Sequence, residues 1–504
     1  MPKNFESINE KQCDLAEPLA APMIESLRAF GYDLPSAIAD LIDNSIFAGA
    51  STVWVDFFWA GEFSTICVTD NGTGMTEATL VDAMRPGSRN PLESRDPKDL
   101  GRYGLGLKTA SFSQCRRLTV RTKVRSCQPA TRCWDLAFVA FKKKWLLMRE
   151  AGDEAERQLK RLSSLPQGTA VLWENMDRIV RGQSADNAAQ KHLFHARING
   201  VERHLAMVFH RFMEGKRRLK ILVNDNAIDP WDPFLKNERA TQQIADEKIA
   251  QLHGRINIVP FVLPHISKLT ARKHTEAAGI KGWNHQQGFY VYRNERLLVA
   301  GDWLGLPFTK EEHFKLARIQ LDIPNSMDQE WEIDVTKSKA RPPDGFRDDL
   351  KRIAEATRAR ASEVYRHRGK VSARHSSQDF VFVWQQKIRS GKYQYRINRE
   401  HPLVKHALAV HGTDVDRLLR LIEETVPIPL LAITSSEHPD QHATPFEGSS
   451  SAEVLDTMKA VFGAMRKSSV PAVQALERIA VMEPFDRFPE LVESFKETLK
   501  KEAK

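Results

Sequence analysis

The 504-residue sequence has no apolar run of membrane-spanning length and no secretory leader pattern, which gives the expectation of a cytoplasmic protein. Cysteine is scarce. The five residues Cys13, Cys67, Cys115, Cys127 and Cys133 are odd in number and lack C-x-x-C pairing, so they are expected to be reduced and structural, with Cys127 and Cys133 two positions of a hairpin. There is no internal repeat and no sustained heptad, which sets aside solenoids and coiled coils.

What is present is an ordinary globular composition, 41% hydrophobic and 28% charged, on a chain long enough for two or three domains. The net charge of +9 is not evenly spread. From Lys337 to Arg420 there are 20 Lys and Arg against 9 Asp and Glu, a surplus of 11, while the rest of the chain stands at −2. The basic excess therefore belongs to one segment, as a surface facing a polyanion would.

Helical periodicity covers 22–31 and 35–48, the second with Ile38, Leu41, Ile42 and Ser45 on one face. Strands are predicted at Ser51–Trp59, Ser64–Thr69, Arg117–Lys123, Cys133–Phe141 and Gly168–Glu174. A helical pattern over 187–215 leads to a strand at Leu219–Val223 and the turn Asn224-Asp225-Asn226. Strands at Gly288–Arg293, Arg296–Val299, Ile319–Asp322 and Trp331–Val335 then give a second α/β unit, closed by Pro342-Pro343. Asp344–Arg368 reads as a charged helix, Gly369–Gln378 as a polar linker, 434–451 as an exposed loop and 452–499 as helical.

Four short elements carry chemistry. The strand at 64–69 runs into Asp70-Asn71-Gly72-Thr73-Gly74, where a carboxylate at a strand end can accept a hydrogen bond from the exocyclic amine of adenine; guanine presents a carbonyl there. An ordinary Asn-Gly hairpin turn is the alternative. The preceding helix carries Asp40 and Asn44 at i, i+4, on one face. An amide oxygen suits Mg²⁺, and a carboxylate one turn away can act as a general base; a solvated helix face is the plainer account. Gly101-Arg102-Tyr103-Gly104-Leu105-Gly106-Leu107-Lys108 can cradle phosphates on backbone N–H groups, although its spacing is not that of a P-loop. Gly168-Thr169 opens a strand and can set a hydroxyl beside Asp70.

In this order and spacing the four elements resemble the nucleotide-binding boxes of the GHKL superfamily, which includes gyrase B subunits, MutL, MORC proteins, histidine kinases and the large heat-shock chaperone. The resemblance implies an α/β sandwich that binds ATP and Mg²⁺. By it, Asp40 is the catalytic acid, Asn44 the Mg²⁺ ligand and Asp70 the adenine reader. The nucleotide would be contacted by Asn44, Asp70, Gly72, Gly74, Met75, Gly87, Ser88, Gly104, Leu105, Gly106, Leu107, Lys108 and Thr169, with Gly87 to Lys108 forming a mobile lid. Residues 1–185 would be the ATPase domain, 186–343 a transducer domain similar to that of MutL and MORC proteins, and 344–504 a largely helical region. The segments Val223-Asn224-Asp225-Asn226 and Val291-Tyr292-Arg293-Asn294 would be strand-turn pieces of the transducer. Lys337, or Lys339, would meet the terminal phosphate.

An N-terminal ATP domain is unlike the layout of a histidine kinase. The whole is most similar to prokaryotic MORC-like and MutL-like ATPases of restriction-type or anti-phage defence systems. That likeness implies an ATP-dependent homodimer acting on DNA, with partners encoded in the same operon. Two departures bear on turnover: Asp40 stands where most members carry Glu, and Phe47 where many carry an acid. For DNA, the expected contacts are Arg389, Lys392, Arg396 and Arg399, interleaved with Trp384, Tyr393 and Tyr395; a protein partner is the alternative. Asp440-Gln441-His442-Ala443 spells the start of the MutL endonuclease motif, but Pro445 interrupts the helix that motif needs, and a loop is expected there.

Overall fold

The computed structural model describes residues 14, 16–29, 31–87, 106–180, 184–214, 218–251, 254–328, 330–333, 340–374, 383–389, 392–437, 445–482, 484–485 and 488–502. The first unit runs α1 (Ala20–Arg28), α2 (Leu34–Phe47), β1 (Thr52–Phe58), β2 (Thr65–Asp70), α3 (Glu77–Met84), α4 (Gly106–Gln114), β3 (Arg117–Lys123), β4 (Ala130–Asp135) and α5 (Leu136–Lys142). It continues through α6 (Asp153–Gln158), α7 (Lys160–Ser164), β5 (Gly168–Glu174), α8 (Ala188–Val208), α9 (His210–Glu214), β6 (Lys220–Val223) and β7 (Asn226–Ala227). Helix α2 starts where Asp33 accepts from the Ser36 N–H at 2.8 Å, with Pro35 in the first turn, where its missing N–H costs nothing. Its Ala37, Ile38, Leu41 and Ile42 are buried in the first core.

The described strands form a seven-stranded sheet in the order β4-β3-β5-β2-β1-β6-β7, antiparallel except for the β1–β6 pair. Strand β2 is central and every residue of it is buried. One face carries α1, α2, α4 and α8, and the short α6 and α7 cover Cys67, Ala170 and Leu172 on the other. This arrangement sets the C-terminal end of β2 beside α2 and the start of β5.

The second unit comprises β8 (Gln242–Gln243), β9 (Glu247–Gln251), β10 (Gly254–Val262), α10 (Ala271–Ala277), β11 (Gly288–Arg293), β12 (Arg296–Asp302), β13 (Ala317–Ile323) and α11 (Asp344–Arg374). Its sheet runs β12-β11-β13-β10-β8, with β9 also on β10. Phe346, Leu350, Ile353 and Ala354 of α11 join its main core. The third unit has a hairpin, β14 (Trp384–Arg389) and β15 (Lys392–Ile397), and helices α12 (Pro402–Glu424), α13 (Ile428–Glu437), α14 (Ser451–Lys467), α15 (Ala472–Val481) and α16 (Pro489–Glu502), the last three around Met458, Ile479 and Phe495. A reciprocal capping box of Ser450 and Glu453 starts α14. No described helix is long and apolar enough to cross a membrane.

Several expectations need correction. The first unit extends past 185: α8 packs on α2, and β6 joins β1 from Thr52↔Lys220 to Val55↔Val223, so Ile198, Leu205, Ile221 and Val223 belong to the first core. Val223–Asn226 is therefore a hairpin of the first sheet, its Asn224 and Asp225 both at positive φ. The strand expected over Cys133–Phe141 stops at Asp135, whose carboxylate accepts from the Ala137 and Phe138 N–H groups and starts α5 instead. Trp331 lies buried in a turn rather than in a strand, and the proposed linker from Gly369 is helical through Arg374. Helix α13 runs to Glu437, into the expected loop; Asp440-Gln441-His442-Ala443 lies outside the described residues.

Candidate functional site

The site begins at the end of β2. Asp70 is 6% exposed and accepts hydrogen bonds from the Ser45 hydroxyl (3.0 Å) and the Gly72 N–H (2.8 Å). Burial raises its pKa above the usual carboxylate range, against the opposing pull of those two bonds and of a main-chain bond from Thr169. Thr169 stands directly opposite it in the β2–β5 register, and the Thr169 hydroxyl shares a 3.0 Å hydrogen bond with that of Thr122 on β3. Thr122 also accepts from the Met75 N–H at 2.8 Å, which fastens the loop after Asp70 to the sheet.

Two glycines shape this loop. A Cβ on Gly72 would lie 2.8 Å from that of Ala48, and one on Gly74, whose φ is +70°, would lie 2.2 Å from the Lys123 carbonyl oxygen. Neither position accepts a side chain without moving main chain. Asn71 is structural: its side-chain oxygen accepts from the Ser51 and Thr52 N–H groups, at 2.9 and 3.0 Å. Thr73 N–H reaches the Ala48 carbonyl, tying the loop to the end of α2.

Helix α2 supplies the second half of the site. Asp40 is buried, and its Oδ2 accepts from the Tyr32 hydroxyl at 2.8 Å. A Cβ on Gly106 would be 3.7 Å from the same oxygen, so the first residue of α4 stands directly over Asp40. Asn44, one turn on, is exposed. Ser45 follows on the buried face and holds Asp70, so a single rigid helix fixes Asp40, Asn44 and Asp70 relative to one another. This arrangement pairs a buried carboxylate at a helix N-terminus with an open amide beside it, and a second buried carboxylate that stands among neutral donors.

Lys108 begins from a buried position on α4. The residue is 2% exposed, and its Nζ donates to the Ala83 carbonyl of α3 at 3.0 Å, which links α4 to α3. Leu107 is half-buried against the first core, and Gly87 is exposed at a φ of +71°. Ser88, Gly104, Leu105, Lys337 and Lys339 lie outside the described residues.

Of the expected nucleic-acid contacts, the two whose side chains are described are engaged with carboxylates. Arg396 pairs with Glu423 (3.0 Å) and Glu424 (2.6 Å), and Arg399 with Asp416 (3.1 Å) and Glu423, all on α12. Arg389 and Lys392 lie on β14 and β15, but the structure does not describe their side chains. Trp384 and Tyr395 are exposed. Within the same basic stretch, Arg352 pairs with Glu247, and Arg358 lies over the rings of Phe308 and Phe314.

Sequence reasoning missed Tyr32 and Thr122. Tyr32 precedes the Asp33 N-cap of α2 and so lies outside the helix whose periodicity places Asp40, and Thr122 meets Thr169 only through the β3–β5 register. The Asp70-Gly72-Gly74 turn itself was the best available pointer to a sheet neighbour such as Thr122.

Residues 32–169 match the sequence model of a family described as histidine kinase-, DNA gyrase B- and HSP90-like ATPase. That span opens at Tyr32, closes at Thr169 and contains every part of the cleft just described. No curated protein matches the chain. Among solved structures the chain is similar to one described as the crystal structure of the N-terminal domain of a DNA repair protein, at 14% identity and a TM-score of 0.40, over 70% of this chain and 99% of the other.

Proposed function

We propose that the ATPase-type domain over 32–169 is a Mg-ATP site in which Asp70 reads the adenine amine, Asn44 ligates the ion and Asp40 activates water. The observation that carries this is Asp70 itself: a carboxylate buried at a strand end, among neutral donors, with Thr169 opposite and no room for side chains at Gly72 and Gly74. A buried acceptor of this kind favours a base that offers a donor, and leaves an unpaired buried group against one that does not. Asn44 fits a Mg²⁺ ion because it is exposed one turn from Asp40 and carries a hard oxygen. Among the described residues no group of three or more His, Cys, Asp and Glu could hold a metal alone, so the phosphates would complete the shell. Once bound, the ion neutralises phosphate charge. Tyr32 orients Asp40 through its hydroxyl, and the start of α4 closes over the carboxylate. Asp is one carbon shorter than the Glu usual in similar ATPases, so hydrolysis is slow.

On this basis the chain works in the cytoplasm as an ATP-gated homodimeric clamp or remodeller on DNA, within a prokaryotic defence system of the MORC-like or MutL-like kind. Lys337, or Lys339, senses the terminal phosphate, and operon-encoded proteins are partners. A second reading, an ATPase acting on a protein partner without DNA, is favoured by the engagement of Arg396 and Arg399 with α12 carboxylates. Calorimetry with Mg-bound non-hydrolysable ATP and GTP analogues tests the premise. Adenine-selective binding that falls in Asn44→Ala is expected; equal affinity for both bases rejects the role given to Asp70.

A further inference from the structure

We propose that the buried Asp43–Arg296 ion pair transmits nucleotide occupancy from the first unit to the second, a role that rests on the ATP reading above. Asp43 lies on α2 between Asp40 and Asn44 and is 2% exposed. Its Oδ1 is 3.3 Å from Nε of Arg296, the first residue of β12, whose side chain is 4% exposed. The arginine also donates to the Leu297 carbonyl at 2.6 Å, and its guanidinium lies 5.6 Å from the Phe209 ring at the end of α8. An arginine of the second sheet is thus inserted among residues of the first unit.

The neighbourhood supports a mechanical role. His204 on α8 has its pKa pushed down to about 4, chiefly by burial and then by the Arg296 charge, so at neutral pH it brings no charge to the pair. The turn before Arg296, Asn294-Glu295, has both residues at positive φ and is a tight two-residue hairpin connection. Arg211 of α9 pairs with Glu295 at 3.3 Å, and His210 shares a 2.8 Å hydrogen bond with Tyr292 on β11. The β11–β12 hairpin is therefore gripped by first-unit residues at more than one point.

Two charges buried together respond steeply to displacement, because the surroundings screen them weakly and neither can be left unpaired. Asp40, Asp43 and Asn44 ride on one continuous helix. Any shift of α2 that brings Asn44 onto the ion moves Asp43, and β12 must follow or the pair must open. By linkage the coupling runs both ways, so a hairpin displaced by a partner changes nucleotide affinity by the same factor.

Hydrogen exchange on the full chain, with and without a Mg-bound non-hydrolysable ATP analogue, tests this at two places: the loop over 72–76 and the hairpin over 289–300. Native protein is expected to gain protection at both. The neutral double variant D43N/R296Q is expected to keep protection at the loop while its hairpin response falls about tenfold, within the usual range of coupling between sites. R296K retains the charge without the planar fork and is expected to fall between the two. An undiminished hairpin response in the double variant overturns the proposal, and where that variant does not fold, an undiminished response in R296K does so. A native protein without protection at the loop rejects the ATP reading, and the coupling with it.

Discussion

The cleft on α2 and β2 and the basic hairpin before α12 treat charge in opposite ways. In the cleft, Asp70 is buried among hydroxyl and main-chain donors that hold it without neutralising it, which leaves acceptor chemistry for a ligand. At the hairpin, Arg396 and Arg399 each meet carboxylates of α12, and Glu423, 3% exposed, takes both. Net charge along a sequence is thus a poor guide to where free charge lies. A buried acid held by neutral groups says more about function than a surplus of arginines, because the fold bears its desolvation cost with no ion pair in return.

The sharpest way to break this comparison is to remove the acid over which α4 begins. Asp40→Ala should lower ATP turnover by roughly 10²–10⁴ while Mg-ATP still binds, as expected for loss of a general base; native turnover in a phosphate-release assay would place the base elsewhere. Next is Asp70→Asn, which should weaken ATP by roughly 10- to 100-fold, the value of a hydrogen bond to a charged group. Calorimetry on the folded variant checks it, and unchanged affinity would remove the pocket from the comparison.

Smaller effects separate the two halves of the hairpin. Arg396→Ala with Arg399→Ala strips Glu423 of both cations and should lower the urea-unfolding midpoint slightly, with little change in DNA affinity. Arg389→Ala with Lys392→Ala should do the reverse: stability near native, and a salt dependence of DNA binding shallower by at most about 2 in slope if both meet phosphates. No DNA binding at low salt in the native protein would leave the protein-partner reading standing. The smallest effect is thermal. Because burial raises the folded-state pKa of Asp70, its ionised form costs stability above the unfolded carboxylate pKa, and that cost fades as pH falls and the group takes up its proton. Apo Asp70→Asn should therefore melt slightly above native protein at neutral pH and alongside it in acid. A gap that widens in acid would contradict the sign.

The strands flanking the cleft were legible in the sequence wherever apolar residues concentrate, and β3, β5 and β11 have the boundaries expected of them. The four motifs were legible because each pairs glycine with a polar residue at fixed spacing. Contacts set by tertiary register were not. Thr122 meets Met75 across 47 positions and Arg296 meets Asp43 across 253, distances over which no periodicity carries information. The strand-to-helix change at Asp135 escaped notice because Cys133–Phe141 is apolar enough for either element, and one capping carboxylate decides it. The domain boundary was misplaced for a related reason: β6 reads the same whichever sheet it joins, and only its parallel register with β1 settles the matter.

The near-contacts at Gly74 and Gly168 have a consequence for how the cleft can change. A Cβ on Gly74 would strike the Lys123 carbonyl, and one on Gly168 would sit 2.0 Å from the Asp70 carbonyl oxygen, so the floor of the cleft is peptide backbone drawn from three strands. Backbone cannot be exchanged one side chain at a time. On the ATP reading proposed above, drift or engineering toward another base would therefore work through side chains such as Asp70 and Thr169 rather than through the glycines, and a molecule shaped to lie flat against that backbone would meet a surface that point mutation can scarcely remodel.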